Sequence, residues 1–283
     1  MSGPFHPTGI ESDTGETMLW LRQGKKNITH CFNSVIYPKK RDPVIVFGIP
    51  KSGTSVVASL LADRAGFSKT IDIPEIWALK SLCMRRGRMH LSEVVRKYPK
   101  PFSRQLIKDP TLSFIFDQVK EVFPSGRFVW VMRHPKENFR SMLNRLGVPG
   151  NLSEIDLSTP DMRGRLEWRI AFNGRIQHSP FHHYIDLLCE RWTHAVDTYL
   201  AHSHEIRLIK YEDFVIDKVG AIERLAQSLA LPRVGDISDK IDIQYQPKGK
   251  DRGIDPRAFF GEENLARINT HCRTRMALLN YTT

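Results

Sequence analysis

One junction near residue 48 decides much of what this chain can become. The run Val44–Phe47 is short, β-branched and aromatic, of the kind that fills a buried parallel strand. It is followed by the turn Gly48-Ile49-Pro50-Lys51-Ser52-Gly53 and then by Thr54-Ser55-Val56-Val57-Ala58-Ser59-Leu60-Leu61, whose Val56, Val57, Leu60 and Leu61 share a helical face before Gly66 closes the segment. Strand, glycine turn and helix make a βα unit. At such a junction the free N–H groups of the first helical turn and the positive end of the helix dipole form an anion site. Lys51, Ser52, Gly53, Thr54 and Ser55 are therefore the expected lining of a phosphate-cradling loop. A nucleotide-triphosphatase loop reads G-x-x-x-x-G-K-[ST], with its lysine after the second glycine; here Lys51 precedes Gly53, so that pattern is not met.

The unit recurs along the chain. Phe128–Met132 is another short apolar run, followed by helical sequence from Lys136 to Leu146, and a third begins at Ile206, continues through Tyr211 and leads to a helix across Ala221–Leu231. Alternating strands and helices predict an α/β chain with a P-loop-like, three-layer architecture: a central parallel sheet flanked by helices on both faces. At 283 residues and 41% hydrophobic content a single core is favoured. Residues 1–17 read as a flexible arm, residues 18–283 as one domain, and residues 146–190, punctuated by glycine and proline, as an acceptor-side insertion or lid. Cys31–Tyr37 has strand character, and residues 246–256 are a basic, Gly/Pro-bearing loop before a final helix.

A formal charge of +11 requires a partner or substrate rich in negative charge: nucleic acid, an anionic membrane or a phosphorylated cofactor. The basic runs at 25–26, 39–41 and 85–88 lack an aromatic stripe or a recognisable nucleic-acid module. They read instead as solvated surface or as an entrance that attracts an anionic acceptor. No apolar stretch nears the roughly 20 residues of a membrane span, and no leader pattern opens the chain, so a cytoplasmic protein without stable membrane insertion is expected. Four scattered cysteines without a C-x-x-C pair suggest reduced thiols. His178, His182 and His183 have no accompanying carboxylate motif, so no metal site is expected there.

At these residues a family resemblance enters. P-K-S-G-T-S after a hydrophobic strand resembles the 5′-phosphosulfate loop of sulfotransferases that use 3′-phosphoadenosine 5′-phosphosulfate (PAPS). That family places an Arg at the end of a later strand and a Ser eight positions on, both on the 3′-phosphate; Arg133 and Ser141 match in order and spacing. The planar guanidinium suits a phosphate because it donates in pairs. Tyr211, in K-Y-E-D-F, resembles the family tyrosine that contacts the adenine. Pro247-Lys248-Gly249 resembles its R-K-G loop with Pro in place of Arg, leaving Lys250 or Arg252 to supply the charge. Val56 stands where many cytosolic members carry an adenine-stacking Trp. The similarity runs from about residue 44 to residue 281.

The resemblance implies a PAPS donor, 3′,5′-adenosine bisphosphate (PAP) as product, no divalent metal, and a small-molecule or carbohydrate acceptor with a hydroxyl or amine. It implies that Lys51 meets the charge on the bridging oxygen, with Ser141 restraining it, and that Lys108 lies beside the transferring group. The K-D-P spelling at 108–110 resembles the tyrosylprotein and many bacterial enzymes. Pro110 occupies the place of the cytosolic branch's catalytic His, so the general base must lie elsewhere. Glu75, in I-D-I-P-E-I-W, stands where other branches use a Glu, with Ile73, Pro74, Ile76 and Trp77 to raise its pKa; His90 is the alternative. Two rival readings stay open: a Mg-dependent nucleotide phosphotransferase, and a noncatalytic nucleotide- or polyanion-binding module. Oligomeric state is not written in these motifs.

Overall fold

A computed structural model describes residues 37–158, 166–243 and 253–282. Strand β1 (Val44–Phe47) is wholly buried and lies at the centre of the sheet. After the turn comes α1 (Thr54–Ala65), which stops at Gly66: its left-handed backbone, φ 68°, lets its N–H reach the carbonyls of Ala62 and Asp63. Next come β2 (Lys69–Ile71), a 3₁₀ turn at Pro74–Ile76, and the short helices α2 (Leu79–Arg85), α3 (Leu91–Lys97) and α4 (Pro99–Phe102). Strand β3 (Leu106–Lys108), a second 3₁₀ turn at Pro110–Phe114 and α5 (Phe116–Val122) precede β4 (Arg127–Met132) and α6 (Pro135–Leu146). The chain continues through α7 (Leu166–Ala171), α8 (Gly174–Gln177), α9 (Tyr184–Ala201), β5 (Ile206–Lys210), α10 (Tyr211–Ile216) and α11 (Lys218–Ser228). It closes with α12 (Pro256–Leu278), kinked at Gly261.

The five strands lie in the order β2-β3-β1-β4-β5, and every neighbouring pair is parallel. From β1 the chain runs outward to edge strand β2, returns to β3, then crosses β1 to β4. Connections thus diverge on either side of β1. In an open parallel sheet this switch point leaves a crevice beyond the carboxyl ends of the strands, where ligands bind. The loops after β1, β3 and β4 all open there.

Alternation along the strands sorts side chains between two cores. Ile45, Phe47, Phe128 and Trp130 belong to the face covered by α9 and α12, where Phe47 stacks on Trp130 at 5.1 Å. Val44, Val46, Val129 and Val131 face α1 and α11. The three-layer α/β architecture expected from the sequence is present, with three differences. Helix α1 is buried around most of its circumference, not on one face, because α11 and β3 enclose it as well. Strands β2 and β3 have three residues each, too short for a periodic signal, and were not anticipated. The third strand ends at Lys210, and Tyr211 opens a helix rather than continuing the strand.

The expected arm at 1–17, the strand at Cys31–Tyr37 except for Tyr37, and Lys248, Gly249, Lys250 and Arg252 lie outside the described residues. Within 146–190, the described elements before α9 are short, as the glycines and prolines led one to expect. Among the described residues no helix is long and apolar enough to cross a membrane.

Candidate functional site

The turn after β1 is built to leave backbone donors free. Gly53 precedes α1 with φ 90°, and no side chain caps the helix, so the first-turn N–H groups are offered to a ligand. A Cβ on Gly53 would collide with the ring of Tyr211, so this position needs glycine on two counts. Lys51 also has a left-handed backbone, φ 70°. The turn is held from beneath: the Gly48 N–H donates to Ser113 Oγ (2.8 Å), and Asn138 Nδ2 donates to the Pro50 carbonyl (2.9 Å) and Ser52 Oγ (3.0 Å). Asn138 is fully buried on α6, so β4's helix clamps β1's loop. Burial, followed by the charges of Arg145, Arg133 and Lys108, pulls the Lys51 ammonium down to about 8. A cation under that strain is eased by an arriving anion.

Arg133 ends β4 beside this turn. Its Nη1 donates to the Lys51 carbonyl (3.1 Å), its guanidinium lies 4.5 Å from the Tyr211 ring centroid, and its own carbonyl accepts from Trp192 Nε1 (2.9 Å). Glu137 faces Arg133 at 3.5 Å and engages Arg140 at 2.5 Å. Ser141, one helical turn further on, lines the same cavity together with Arg145. Lys51, Gly53, Thr54, Ser55, Arg133, Ser141 and Tyr211 therefore converge, whereas Ser52 is buried beneath the turn.

The opposite wall carries the carboxylates. Lys108, 2% exposed at the end of β3, donates to Ser55 Oγ (2.9 Å) and to Asp72 Oδ1 (2.6 Å). Asp72 follows β2 in a left-handed conformation, φ 68°, tolerable for aspartate, and its N–H donates to the Lys108 carbonyl (2.8 Å). The adjacent Asp109 is fully buried. One of its oxygens accepts from the Ile73 N–H and from Trp77 Nε1, both at 2.7 Å, and the other from the Thr111 N–H at 2.7 Å. Burial pushes its carboxyl up, against the pull of these donors. Asp109 thus fastens the loop bearing Asp72 to the strand bearing Lys108.

Asp72 lines the cavity; Glu75 does not. Glu75 sits in the 3₁₀ turn, its Oε2 enclosed with no hydrogen-bond partner among the described residues. His90 caps α3, accepting from the Ser92 N–H at 3.3 Å and facing Glu121 at 3.1 Å, and lies outside the cavity too. Sequence reasoning missed Asp72 although it is in the same I-D-I-P-E-I-W run; the signal was an acid at a turn that demands positive φ.

The cavity measures about 720 Å³. Beyond Asp72 and Lys108 its lining becomes aromatic and apolar, with Trp77, Phe114, Trp168 and Ile170, and two further cations, Arg85 and Arg191. One end can hold a phosphorylated anion on backbone donors and cations; the other can hold an apolar body; a carboxylate and a lysine lie between them.

Comparison with known proteins agrees. The sequence profile described as "Sulfotransferase family" matches residues 81–236, more than half of the chain. A zebrafish (Danio rerio) protein, protein-tyrosine sulfotransferase 1, is 26% identical over a region covering 44% of this chain and 41% of its own length, so less than half of that relative is matched. Among solved structures, sulfotransferase STF9 of Mycobacterium avium superposes with a TM-score of 0.56 at 12% identity, covering 90% of this chain and 81% of its own. A mouse sulfotransferase crystallised with PAP gives 0.50 at 14% identity, covering 87% and 88%. At these identities the structural likeness is one of fold.

Proposed function

The chain belongs to the sulfotransferase family, and from that premise we propose that it moves the sulfuryl group of PAPS to a hydroxyl-bearing acceptor, releasing PAP. The observation that carries the reading is the convergence of an uncapped helix start, Lys51 and Arg133 at one end of a cavity whose middle holds Lys108 and Asp72. The residues fit the donor: Lys51 and the first turn of α1 take its 5′-phosphosulfate, Arg133 and Ser141 its 3′-phosphate, and Tyr211 the base. Lys248, Gly249 and Lys250 retain their proposed place over the 3′-phosphate.

In the transfer the acceptor oxygen attacks sulfur and the bond from sulfur to the bridging phosphate oxygen breaks. The departing electron pair stays on that oxygen, where Lys51 meets it. Lys108, fixed between Ser55 and Asp72, is positioned to neutralise the sulfuryl oxygens. The proton of the acceptor hydroxyl goes to a carboxylate on the β2–α2 loop. Of the two there, Asp72 is the one in the cavity, so we assign it the role that the sequence alone gave to Glu75.

Calorimetry with PAP and with ATP–Mg²⁺ tests the class: tight PAP binding that Arg133→Ala abolishes supports it, and preference for ATP–Mg²⁺ sinks it in favour of phosphotransfer. With an acceptor found by labelled PAPS, Asp72→Asn is expected to lower kcat by about 10²- to 10⁴-fold at unchanged PAP affinity. Glu75→Gln is the control. A large kcat loss there, with Asp72→Asn active, returns the base to Glu75.

A further inference from the structure

The other end of the cavity carries a charge arrangement that sulfuryl transfer does not use. Within the cavity lining, Arg133 reaches the Lys51 carbonyl at the donor turn (3.1 Å), while a second group of cations gathers at a different aromatic residue. There Arg85 from the last turn of α2 and Arg191 from α9 lie over the same ring, that of Phe114, at 5.1 and 4.4 Å from its centroid. His194 stacks on that ring as well, at 5.8 Å.

Neither guanidinium has an anionic partner within ion-pair distance among the described residues. Arg85 Nη1 donates to the neutral amide oxygen of Gln177 (2.5 Å), and the neighbouring Arg86 donates to the Ile176 carbonyl. Arg191 Nε is enclosed and has no hydrogen-bond partner among the described residues. Glu190 is the acid whose charge reaches both arginines, yet it closes an ion pair with neither. Burial and the like charge of Arg85 both work against the Arg191 cation. An enclosed N–H without an acceptor, beside a second positive charge, is costly unless something negative arrives to complete it. Leu82, Trp168, Ile170 and Ala171 line the same cavity, so what arrives there meets apolar surface as well as charge.

We propose that the acceptor carries an anionic group, a carboxylate or a phosphate or sulfate ester, on an apolar body, and that Arg85 and Arg191 clasp this group while the hydroxyl points at Asp72. The inference rests on the sulfotransferase reading and adds the acceptor class. The paired N–H forks suit an oxyanion, and the Phe114 face behind them fixes their planes.

The test uses protein saturated with PAP, titrated with benzoate, phenyl phosphate, benzamide and benzyl alcohol while tryptophan fluorescence is followed, since Trp77 and Trp168 line the cavity. At least one anion is expected to bind tenfold or more tightly than both neutral probes. Benzoate ahead identifies a carboxylate, phenyl phosphate ahead a tetrahedral ester. Arg85→Met and Arg191→Met are expected to erase the preference and leave PAP affinity within twofold, while Arg191→Lys keeps part of it. Should Arg191→Met lose its fold by circular dichroism, Arg85→Met, at an exposed position, carries the comparison. Anions no tighter than neutral probes, or a preference surviving in the folded Met variants, overturns the proposal. Failure of the wild-type protein to bind PAP is a different result: it removes the sulfotransferase reading, and the Arg85→Met comparison on nucleotide-free protein still decides the anion site.

Discussion

In the proposed reaction Lys51 meets the departing charge of the donor, and its surroundings set a pH limit. Burial and three neighbouring cations hold it near 8 in the nucleotide-free protein. A bound phosphosulfate or bisphosphate favours the charged form, so the bound-state pKa is higher than the free one and binding takes up protons in the window just above 8. Once both phosphates of PAP are fully ionised, above about pH 7, its affinity is therefore expected to fall as pH rises through 8 and beyond. Calorimetry at pH 8.5 in buffers of differing ionisation enthalpy should report the proton uptake. Affinity that stays flat to pH 9.5, with no proton taken up, would remove Lys51 from the phosphate site. The residue-scale features around it were legible in sequence because they are local: the turn, its glycine and the following helix lie within about twenty residues. Arg133 and Ser141 were legible through the family's Arg-then-Ser spacing of eight residues, not through local structure alone.

At the scale of elements, local patterns gave way to long-range ones. Strands β2 and β3 carry three residues each, and what makes them strands is pairing across the sheet, which no window of sequence contains. The Lys108–Asp72 contact depends on that pairing, because parallel register sets the ends of β2 and β3 side by side. The sequence pointed to Glu75 as the base; the pairing of β2 with β3 and the left-handed residue at 72 put Asp72, not Glu75, among the cavity-lining side chains. The loop is kept in that shape by Asp109. Removing its carboxylate orphans the buried N–H of Ile73, worth about 1–3 kcal/mol, and the half-buried N–H of Thr111 and indole N–H of Trp77, which water can partly satisfy and which cost less. Asp109→Ala is expected to lower unfolding free energy by roughly 2–4 kcal/mol in denaturant titration. It should also slow turnover more than it weakens PAP, since the donor loop is also held by Asn138 on α6, away from Asp109. A loss of PAP affinity as large as the loss of turnover would mean that the two loops are not held separately.

For the molecule as a whole, a charge of +11 combines with a cavity ringed by Lys51, Lys108, Arg133, Arg140, Arg145, Arg85 and Arg191. Such a field draws in a polyanionic nucleotide from beyond contact distance and is screened by salt. The association rate of PAP, followed by stopped-flow fluorescence, is expected to fall about tenfold or more between 0.02 and 0.5 M salt, with a smaller change in the dissociation rate. A salt-independent rate would show that the net charge serves another partner. Hydrogen bonds tie the segments around the cavity: the Tyr184 hydroxyl and Asn264 Nδ2 donate to the Gly150 carbonyl after α6, and the Glu212 carboxylate accepts from the His134 N–H and the Tyr281 hydroxyl.

The two groups of cations in that cavity grow from different parts of the chain. Donor groups come from the strand ends of the sheet, whose geometry the whole core enforces. The far end comes from the tip of α2, one residue of α9, and the short helices of the glycine- and proline-bearing stretch. If the proposed acceptor clasp holds, substitutions at positions such as 82, 85, 168 and 191 are expected to change the acceptor preference while leaving PAP binding in place.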